Sequence, residues 1–481
     1  MIKFRETIKE NTYHLQMIAE LSGEDISNDY YCGYRQESPF PLIKLLKTND
    51  LWFDYKPHLL GHPDIIALLC MISYYAFFCN LVSKDTIIIE FPRPISVNCA
   101  KAIETIYYYD PTNKNTKSKK IIINNVSSSI ISYGEWIKLN KVTGDKPKIG
   151  ISFGGGLDSM AAHYLFPKAY LIHEKNYKNM DYTHTMIYNK KYGKKAYSIE
   201  SNNKELCTMH GWSSWISCVS TSLLLSSDLK LEYIFLGSSL GSVYLNNGRK
   251  FFNAHEKPYV NHWYKIFHEV GIPILTPMAG FSDLLLAKII PRNVLLTQLN
   301  YCTFGIDGRN CHKCWKCFRR DMIISYITGK PIINNIANIV NMDNINNINN
   351  INNIILLYET NETVRRLMEK YIMEPINENK MPSIGPTLIY ILMQVDCREN
   401  IKKIYPVWIH KYAKAVNTHI RAMGGLDLDF IKLFYDKSTK LFEQYNIDIK
   451  KIINRKLSFI MKQISPMVSK DYSNLENWGN S

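Results

Sequence analysis

The chain carries nothing that reads as a secretory leader. Its first residues, Met1-Ile-Lys-Phe-Arg-Glu-Thr7, mix charges of both signs where a leader would place a basic start, a short apolar core and a small-residue cleavage site. A cytoplasmic protein is therefore expected. Acidic residues are in short supply, 43 against 58 Lys and Arg, leaving a net charge of +15. That excess suits an anionic substrate or a nucleic acid. No arginine-aromatic module for RNA stands out, however, and the densest basic spot, Lys114 to Lys120, reads as a solvated loop. A nucleic-acid partner stays open with no module to name it. One segment invites reading as a membrane span, the uncharged run Ile65 to Val82. Ser73, Tyr74, Tyr75 and Asn80 interrupt it, and His62-Pro63-Asp64 signals a helix start, so a buried helix and no membrane association are expected.

Cysteine is spread thinly except at one place. Seven of the eleven, Cys32, Cys70, Cys79, Cys99, Cys207, Cys218 and Cys397, are scattered, as reduced buried thiols would be. Cys218 reads as a core cysteine on a helix rather than a nucleophile. The other four, Cys302, Cys311, Cys314 and Cys317, fall within sixteen positions. Four thiolates so close together make one tetrahedral site most simply, and Zn2+ in a closed structural site prefers that set. An iron–sulfur cluster is the rival occupant. Arg319 and Arg320 follow directly, where a metal site would hold them in place for contact with an anion.

Glycine is also scarce, 23 in 481 residues, yet three are consecutive in Lys148-Ile-Gly-Ile-Ser-Phe-Gly-Gly-Gly-Leu-Asp-Ser159. An apolar strand there meets the start of a helix. Gly154, Gly155 and Gly156 let backbone amides approach an anion, and Asp158 and Ser159 stand in the first helical turn, where free N–H groups concentrate positive charge. The Walker pattern is missing, because no Lys-Ser or Lys-Thr pair follows the last glycine, and so is the G-x-G-x-x-G dinucleotide spacing.

Gly-Gly-Gly-x-Asp-Ser followed by Cys-x8-Cys-x2-Cys-x2-Cys resembles the PP-loop (N-type) ATP pyrophosphatases, and among them most closely the 7-cyano-7-deazaguanine synthases, over residues 146–330. The resemblance implies an adenine nucleotide alpha-hydrolase-like fold, with ATP phosphates held by Gly154, Gly155, Gly156, Asp158 and Ser159. It implies Mg2+ accompanying the ATP, and a metal held by Cys302, Cys311, Cys314 and Cys317. It also implies an AMP-forming reaction on a carboxylate or nucleobase oxygen of a small-molecule acceptor. Two departures matter. The family's first loop serine falls on Gly154, so its hydroxyl would have to come from Ser152 or be replaced by a bare amide. Near the expected lysine after Thr276-Pro277, this chain has Asp283, with Lys288 one turn further on. These departures keep two further readings in play. One is a PP-loop scaffold that binds nucleotide without turnover. The other is a related enzyme, either an ATP-dependent epimerase of a muramoyl-peptide glutamate or a tRNA-thiolation-like protein.

A chain of 481 residues with 46% apolar content suggests two or three domains. Residues 1–145 read as an N-terminal α+β domain. From residue 146 to 330, strands and helices alternate in the manner of a doubly wound parallel α/β sheet. The expected elements are strands at 148–153, 169–173, 195–199, 232–237, 272–275 and 293–298, and helices at 158–166, 212–226, 259–270 and 281–290. Ligands of such sheets sit beyond the strand carboxyl ends, where the glycine loop, the turn Gly237 to Tyr244, and His173 with Glu174 would fall. Residues 331–358, rich in Asn and Ile, read as a low-complexity linker, and residues 359–481 as a helical domain. His410 and His419 there are nine apart and make no metal pair. A homo-oligomer is compatible with such a chain.

Overall fold

The computed structural model describes residues 2–9, 12–19, 50–55, 61–81, 86–104, 120–142, 147–176, 196–203, 219–239, 258–278, 283–297, 299, 310, 315–328 and 366. The expected linker 331–358, nearly all of the expected helical domain 359–481, and Cys302, Cys311 and Cys314 lie outside them. In chain order the elements are β1 (Ile2–Lys9), β2 (Thr12–Ala19), β3 (Asp50–Phe53), α1 (Pro63–Leu81), β4 (Thr86–Glu90), β5 (Ile95–Ser96), α2 (Val97–Glu104), β6 (Lys120–Ile123), β7 (Val126–Ser127), α3 (Tyr133–Leu139), β8 (Ile149–Ser152), α4 (Leu157–Leu165), β9 (Tyr170–Asn176), β10 (Ala196–Ser201), α5 (Ser220–Leu229), β11 (Tyr233–Leu236), α6 (Pro258–Val270), β12 (Ile274–Leu275), α7 (Asp283–Ile289), α8 (Arg292–Thr297) and α9 (Trp315–Thr328). The chain is mixed α/β with parallel strands, and it divides into two compact units.

The first unit, Met1–Phe153, Lys168–Leu236 and His255–Leu275, holds a sheet of ten strands in the order β12-β11-β8-β9-β10-β3-β2-β1-β4-β6. Its two halves differ in kind. From β12 to β10 every pairing is parallel. The apolar runs Ile149-Gly-Ile and Ile234-Phe-Leu are buried without alternation, as strands covered on both faces are. From β3 to β1 the strands pair antiparallel, and β4 and β6 are added in parallel with buried and open side chains alternating. The halves join where β3 runs antiparallel to β10, through Ser201 opposite Phe53 and the Asp54 N–H to Glu200 carbonyl bond of 2.8 Å. The sheet thus crosses the boundary expected at residue 145, because β1, β2, β3, β4 and β6 extend the same hydrogen-bonded ladder as β8 to β12, while β5 pairs with β7 in a separate two-stranded sheet.

The run that invited a membrane reading is α1, and its side chains from Ile65 to Tyr74 are buried. Among the described residues no helix is long and apolar enough to cross a membrane. Polar groups fix α1 in place. Asp64, fully buried in its first turn, accepts the Ser96 N–H at 2.8 Å, the Ser96 hydroxyl at 2.7 Å and the Tyr133 N–H at 3.2 Å. One carboxylate therefore ties the start of α1 to the strand-to-helix turn before α2 and to the first residue of α3. At the sheet side the Tyr74 hydroxyl donates to the Leu15 carbonyl at 2.7 Å and accepts the Leu51 N–H at 3.1 Å. The Tyr133 hydroxyl donates toward the Ser226 and Leu231 carbonyls at the end of α5, 2.9 and 2.8 Å away. A capping box starts α3: Ser132 Oγ accepts the Glu135 N–H, and Glu135 Oε2 accepts the Ser132 N–H.

The second unit, Gly154–Pro167, Gly237–Ala254 and Thr276–Ser481, contains α4, α7, α8 and α9, with α7 packed on both α4 and α9. One expected strand is corrected here. Residues 293–298 were expected to be extended, and 293–297 lie instead within α8, residue 298 falling outside the described residues. The apolar run Val294-Leu-Leu is too short for periodicity to separate helix from strand. Pro291 decides it, since its carbonyl accepts the Val294 and Leu295 N–H groups at 2.9 and 3.0 Å and so opens a helical turn.

Two consequences follow for the first unit. Gly271 ends α6 in the left-handed region, φ 97°, with Ile272 N–H bonded back to the Phe267 carbonyl. A Cβ built on it would stand 2.3 Å from the Gly134 Cα and 2.5 Å from its nitrogen, in backbone that cannot swing away. Gly271→Ala is expected to lower the unfolding free energy in urea by at least about 2 kcal/mol. His62 precedes α1 with its ring buried, its Nδ1 accepting the Asp64 N–H at 3.3 Å. Burial lowers its pKa, and the pull of Asp64 in the other direction does not overcome it. The folded state then resists protonation while the unfolded chain titrates near pH 6.5. Stability is expected to fall as pH drops below about 6.5, with a limiting slope of about 1.4 kcal/mol per pH unit for this one proton. Urea midpoints of His62→Gln, compared with wild type across that range, should lack this component.

Candidate functional site

The glycine loop begins where β8 ends. Ser152, half-buried in the first unit, is the last residue of that strand and pairs with Leu236 of β11 and Ile172 of β9. Phe153 is held at both ends, its N–H bonded to the Ile172 carbonyl at 2.8 Å and its carbonyl 2.9 Å from His173 Nδ1. A carbonyl only accepts, so His173 carries a proton on Nδ1. Glu174, the other β9 residue expected near a ligand, accepts the Ser201 hydroxyl at 2.9 Å. Both are thus engaged in holding the strand ends.

Within the second unit Gly154 is exposed, Gly155 has φ 69°, and Gly156 is the N-cap of α4 in extended conformation. Gly156 contributes its carbonyl, which accepts the Met160 N–H at 2.9 Å and the Ser159 hydroxyl at 3.2 Å. It has no side chain to satisfy the first amides of α4, and no side-chain cap bond forms there. Asp158 and Ser159 occupy the second and third helical positions, so the expected residues of the loop come together at one helix end.

Gly237, the first residue after β11, lies against that same turn. A Cβ there would meet the Ser159 nitrogen at 2.9 Å, the Asp158 carbonyl carbon at 3.1 Å and Asp158 Cβ at 3.2 Å, so only glycine allows this approach. Two residues further on, the buried Ser239 donates a hydrogen bond to the carboxylate of Asp283, at the start of α7. Asp283 Oδ2 also meets both arginines of α9, Arg319 Nη2 at 3.2 Å and Arg320 Nη1 at 3.4 Å. Burial alone would raise the Asp283 pKa; Arg320, Arg319 and the Ser239 bond outweigh it and hold the carboxyl below the usual range. Burial lowers the pKa of Arg319, opposed by Asp283, and the charge of Asp158 also acts on it. A guanidinium nevertheless stays charged in a protein.

Sequence reasoning singled out Asp283 as a reversed charge and Arg319 and Arg320 as anion contacts, but it did not pair them. The signal was present: an acid where a base was expected, with two adjacent bases supplied from another helix. Lys288, at the opposite end of α7, is exposed. Cys317, in the first turn of α9, is buried; its three companions, Cys302, Cys311 and Cys314, lie outside the described residues. Among the described residues no group of three or more His, Cys, Asp or Glu is placed to hold a metal ion.

Removing Asp283 strands two guanidiniums with little solvent around them. Asp283→Ala is expected to cost about 3 kcal/mol or more near pH 7 by denaturant titration. Because the Asp283 pKa is depressed in the fold, its contribution is complete above about pH 4 and is lost as pH falls through the folded value. The gap between wild type and variant should therefore close in acid.

A family model described as a family of unknown function, DUF6395, matches residues 262–423. That stretch contains Asp283, Arg319, Arg320 and all four clustered cysteines, and it begins after the glycine loop and Gly237. No curated protein matches the chain.

Proposed function

We propose that this chain is a PP-loop-type nucleotide enzyme with a doubly wound sheet, which binds Mg-ATP at Gly154 to Ser159 and transfers AMP to an oxygen of a small acceptor. The observation that carries the reading is the placement of two loops. The parallel strands run β12-β11-β8-β9-β10, so the first of them in the chain lies between the second and the fourth, and the order in which strands are added to the sheet switches sides between β8 and β11. Ligands of doubly wound sheets are found beyond the carboxyl ends of the strands at such a reversal. The segments that leave these two strands are the glycine loop and Gly237, and Gly237 touches the first turn of α4 at Ser159. The four-cysteine pattern and the Gly-Gly-Gly-x-Asp-Ser run add the family resemblance.

In this reading the uncapped amides of α4 meet the phosphates, where fixed donors offset charge that builds on the leaving pyrophosphate. The acceptor oxygen attacks the α-phosphorus, the bond to the β-phosphate oxygen breaks, and pyrophosphate leaves with the electron pair. A second nucleophile then displaces AMP from the adenylated acceptor. Mg2+ accompanying ATP would neutralise phosphate charge, and the Asp158 carboxylate is the loop group that would help hold it. Zn2+ on Cys302, Cys311, Cys314 and Cys317 would be structural, fixing the start of α9. An acceptor carboxylate of the kind used by 7-cyano-7-deazaguanine synthases fits this chemistry, as does a peptide glutamate.

One observation favours a second reading, a scaffold that binds nucleotide without turnover. Among the described residues nothing lies within 4 Å of where a Cβ on Gly154 would stand, so their packing does not demand glycine at the position of the family's serine. The missing hydroxyl is then a loss of chemistry rather than a steric necessity.

Calorimetric titration of the full chain with Mg-ATP, beside Asp158→Ala, tests both. Saturable binding in wild type, weakened at least about tenfold in the variant, is expected. Absence of binding in wild type sinks both readings. Binding with no AMP or pyrophosphate produced across carboxylate acceptors selects the scaffold.

A further inference from the structure

We propose that Asp283 is the positioning residue of the four-cysteine metal site: through Arg320, with Arg319 beside it, Asp283 holds the first turn of α9 so that Cys317 stands ready to take a metal. The inference rests on the metal reading above and is independent of the nucleotide. Cys317 fits a thiolate ligand. It is fully buried, takes part in no disulfide and sits in the first turn of a helix, where a negative group is favoured. With Cys302, Cys311 and Cys314 it makes the donor set that Zn2+ prefers in closed structural sites.

The buried residues of α9 show which side of the helix carries that ligand. Cys317, Arg320, Asp321 and Thr328 are all buried, and positions three, four and eleven beyond Cys317 share one helical face with it. Arg320 therefore lies about one turn along the same face as the thiol. Its Nη1 is 3.4 Å from Asp283 Oδ2, Arg319 Nη2 is 3.2 Å from the same oxygen, and Ser239 donates to that carboxylate. Asp283 opens α7, which packs on α9. A rigid guanidinium fixed three residues after a metal ligand limits how far the ligand can turn or slide.

The other end of α9 is tied as well, where Arg292 of α8 donates to the Thr328 carbonyl. The helix that presents Cys317 is thus set in place by bonds that need no metal. Charge balance points to placement rather than attraction. Asp283 and the buried Asp321 stand against Arg319 and Arg320, and Asp158, whose charge acts on Arg319, adds a third carboxylate. The cluster itself brings no excess of positive charge to draw thiolates in; what it supplies is position.

Placement and charge predict opposite signs. Four thiolates on Zn2+ leave a net negative charge, so by Coulomb's law alone Asp283→Asn would tighten metal binding. Lost placement weakens it. The experiment is competition for zinc between the full chain and a chromophoric chelator, with the Co2+ spectrum of each protein recorded beside it. It compares wild type, Asp283→Asn, Ser239→Ala, Cys317→Ser and, as a control of lowered stability in the first unit, Gly271→Ala, each first shown to unfold cooperatively. Asp283→Asn is expected to bind zinc about tenfold or more weakly, with the Co2+ thiolate bands unchanged because the donor set is intact. Ser239→Ala should move affinity in the same direction by less. Cys317→Ser should change the bands themselves. Gly271→Ala should leave both readings as in wild type. Where Asp283→Asn does not unfold cooperatively, Ser239→Ala carries the positioning arm alone. Zinc affinity unchanged or raised in the variant that carries that arm overturns this inference and spares the metal reading. A loss in Gly271→Ala as large as that in the positioning variant overturns it too, because lowered stability would then suffice. No zinc bound by wild type, or bands untouched by Cys317→Ser, overturns the metal reading with it and leaves the nucleotide reading standing.

Discussion

A carboxylate withdrawn from water must be met by donors, and each unit is built around one that is. In the first unit the donors facing Asp64 are the Ser96 N–H and hydroxyl and the Tyr133 N–H. Neutral donors suffice because the first turn of α1 also favours negative charge. The result is that three elements far apart in sequence share one oxygen pair, and the apolar α1 acquires a fixed rotation that its side chains alone would not define. Leu, Ile and Met in a nearly uniform apolar helix can slide and turn at small cost; a buried ion with directional bonds cannot.

In the second unit Asp283 is met by two guanidiniums and the Ser239 hydroxyl rather than by amides. Amide donors satisfy a carboxylate and are consumed by it. Guanidiniums have more donors than one carboxylate can accept, so satisfying Asp283 leaves capacity over.

The parallel half of the sheet was legible in the chain because β8 and β11 are short, mostly apolar and soon followed by glycine, a pattern that suits a strand covered on both faces. The turn from β8 into α4 was legible for a different reason: three consecutive glycines after an apolar strand signal a tight strand-to-helix turn. The join between β3 and β10 was hidden, since one registered pair leaves no periodic trace, and the antiparallel half was for that reason read as a domain of its own. The helix α8 was hidden by length. The Asp283 cluster was half visible, as three charged residues with no partner assigned. A pairing between positions 283, 319 and 320 is a property of packing, and no local propensity encodes it.

The meeting of Gly271 with Gly134 has a consequence beyond stability. Most tight contacts between two side chains can drift, one partner growing while the other shrinks. Here both partners are already the smallest residue there is, so neither position has a compensating change available to the other. The two sites are bound to one another through time as firmly as in space, and the end of α6 and the start of α3 can evolve only around them.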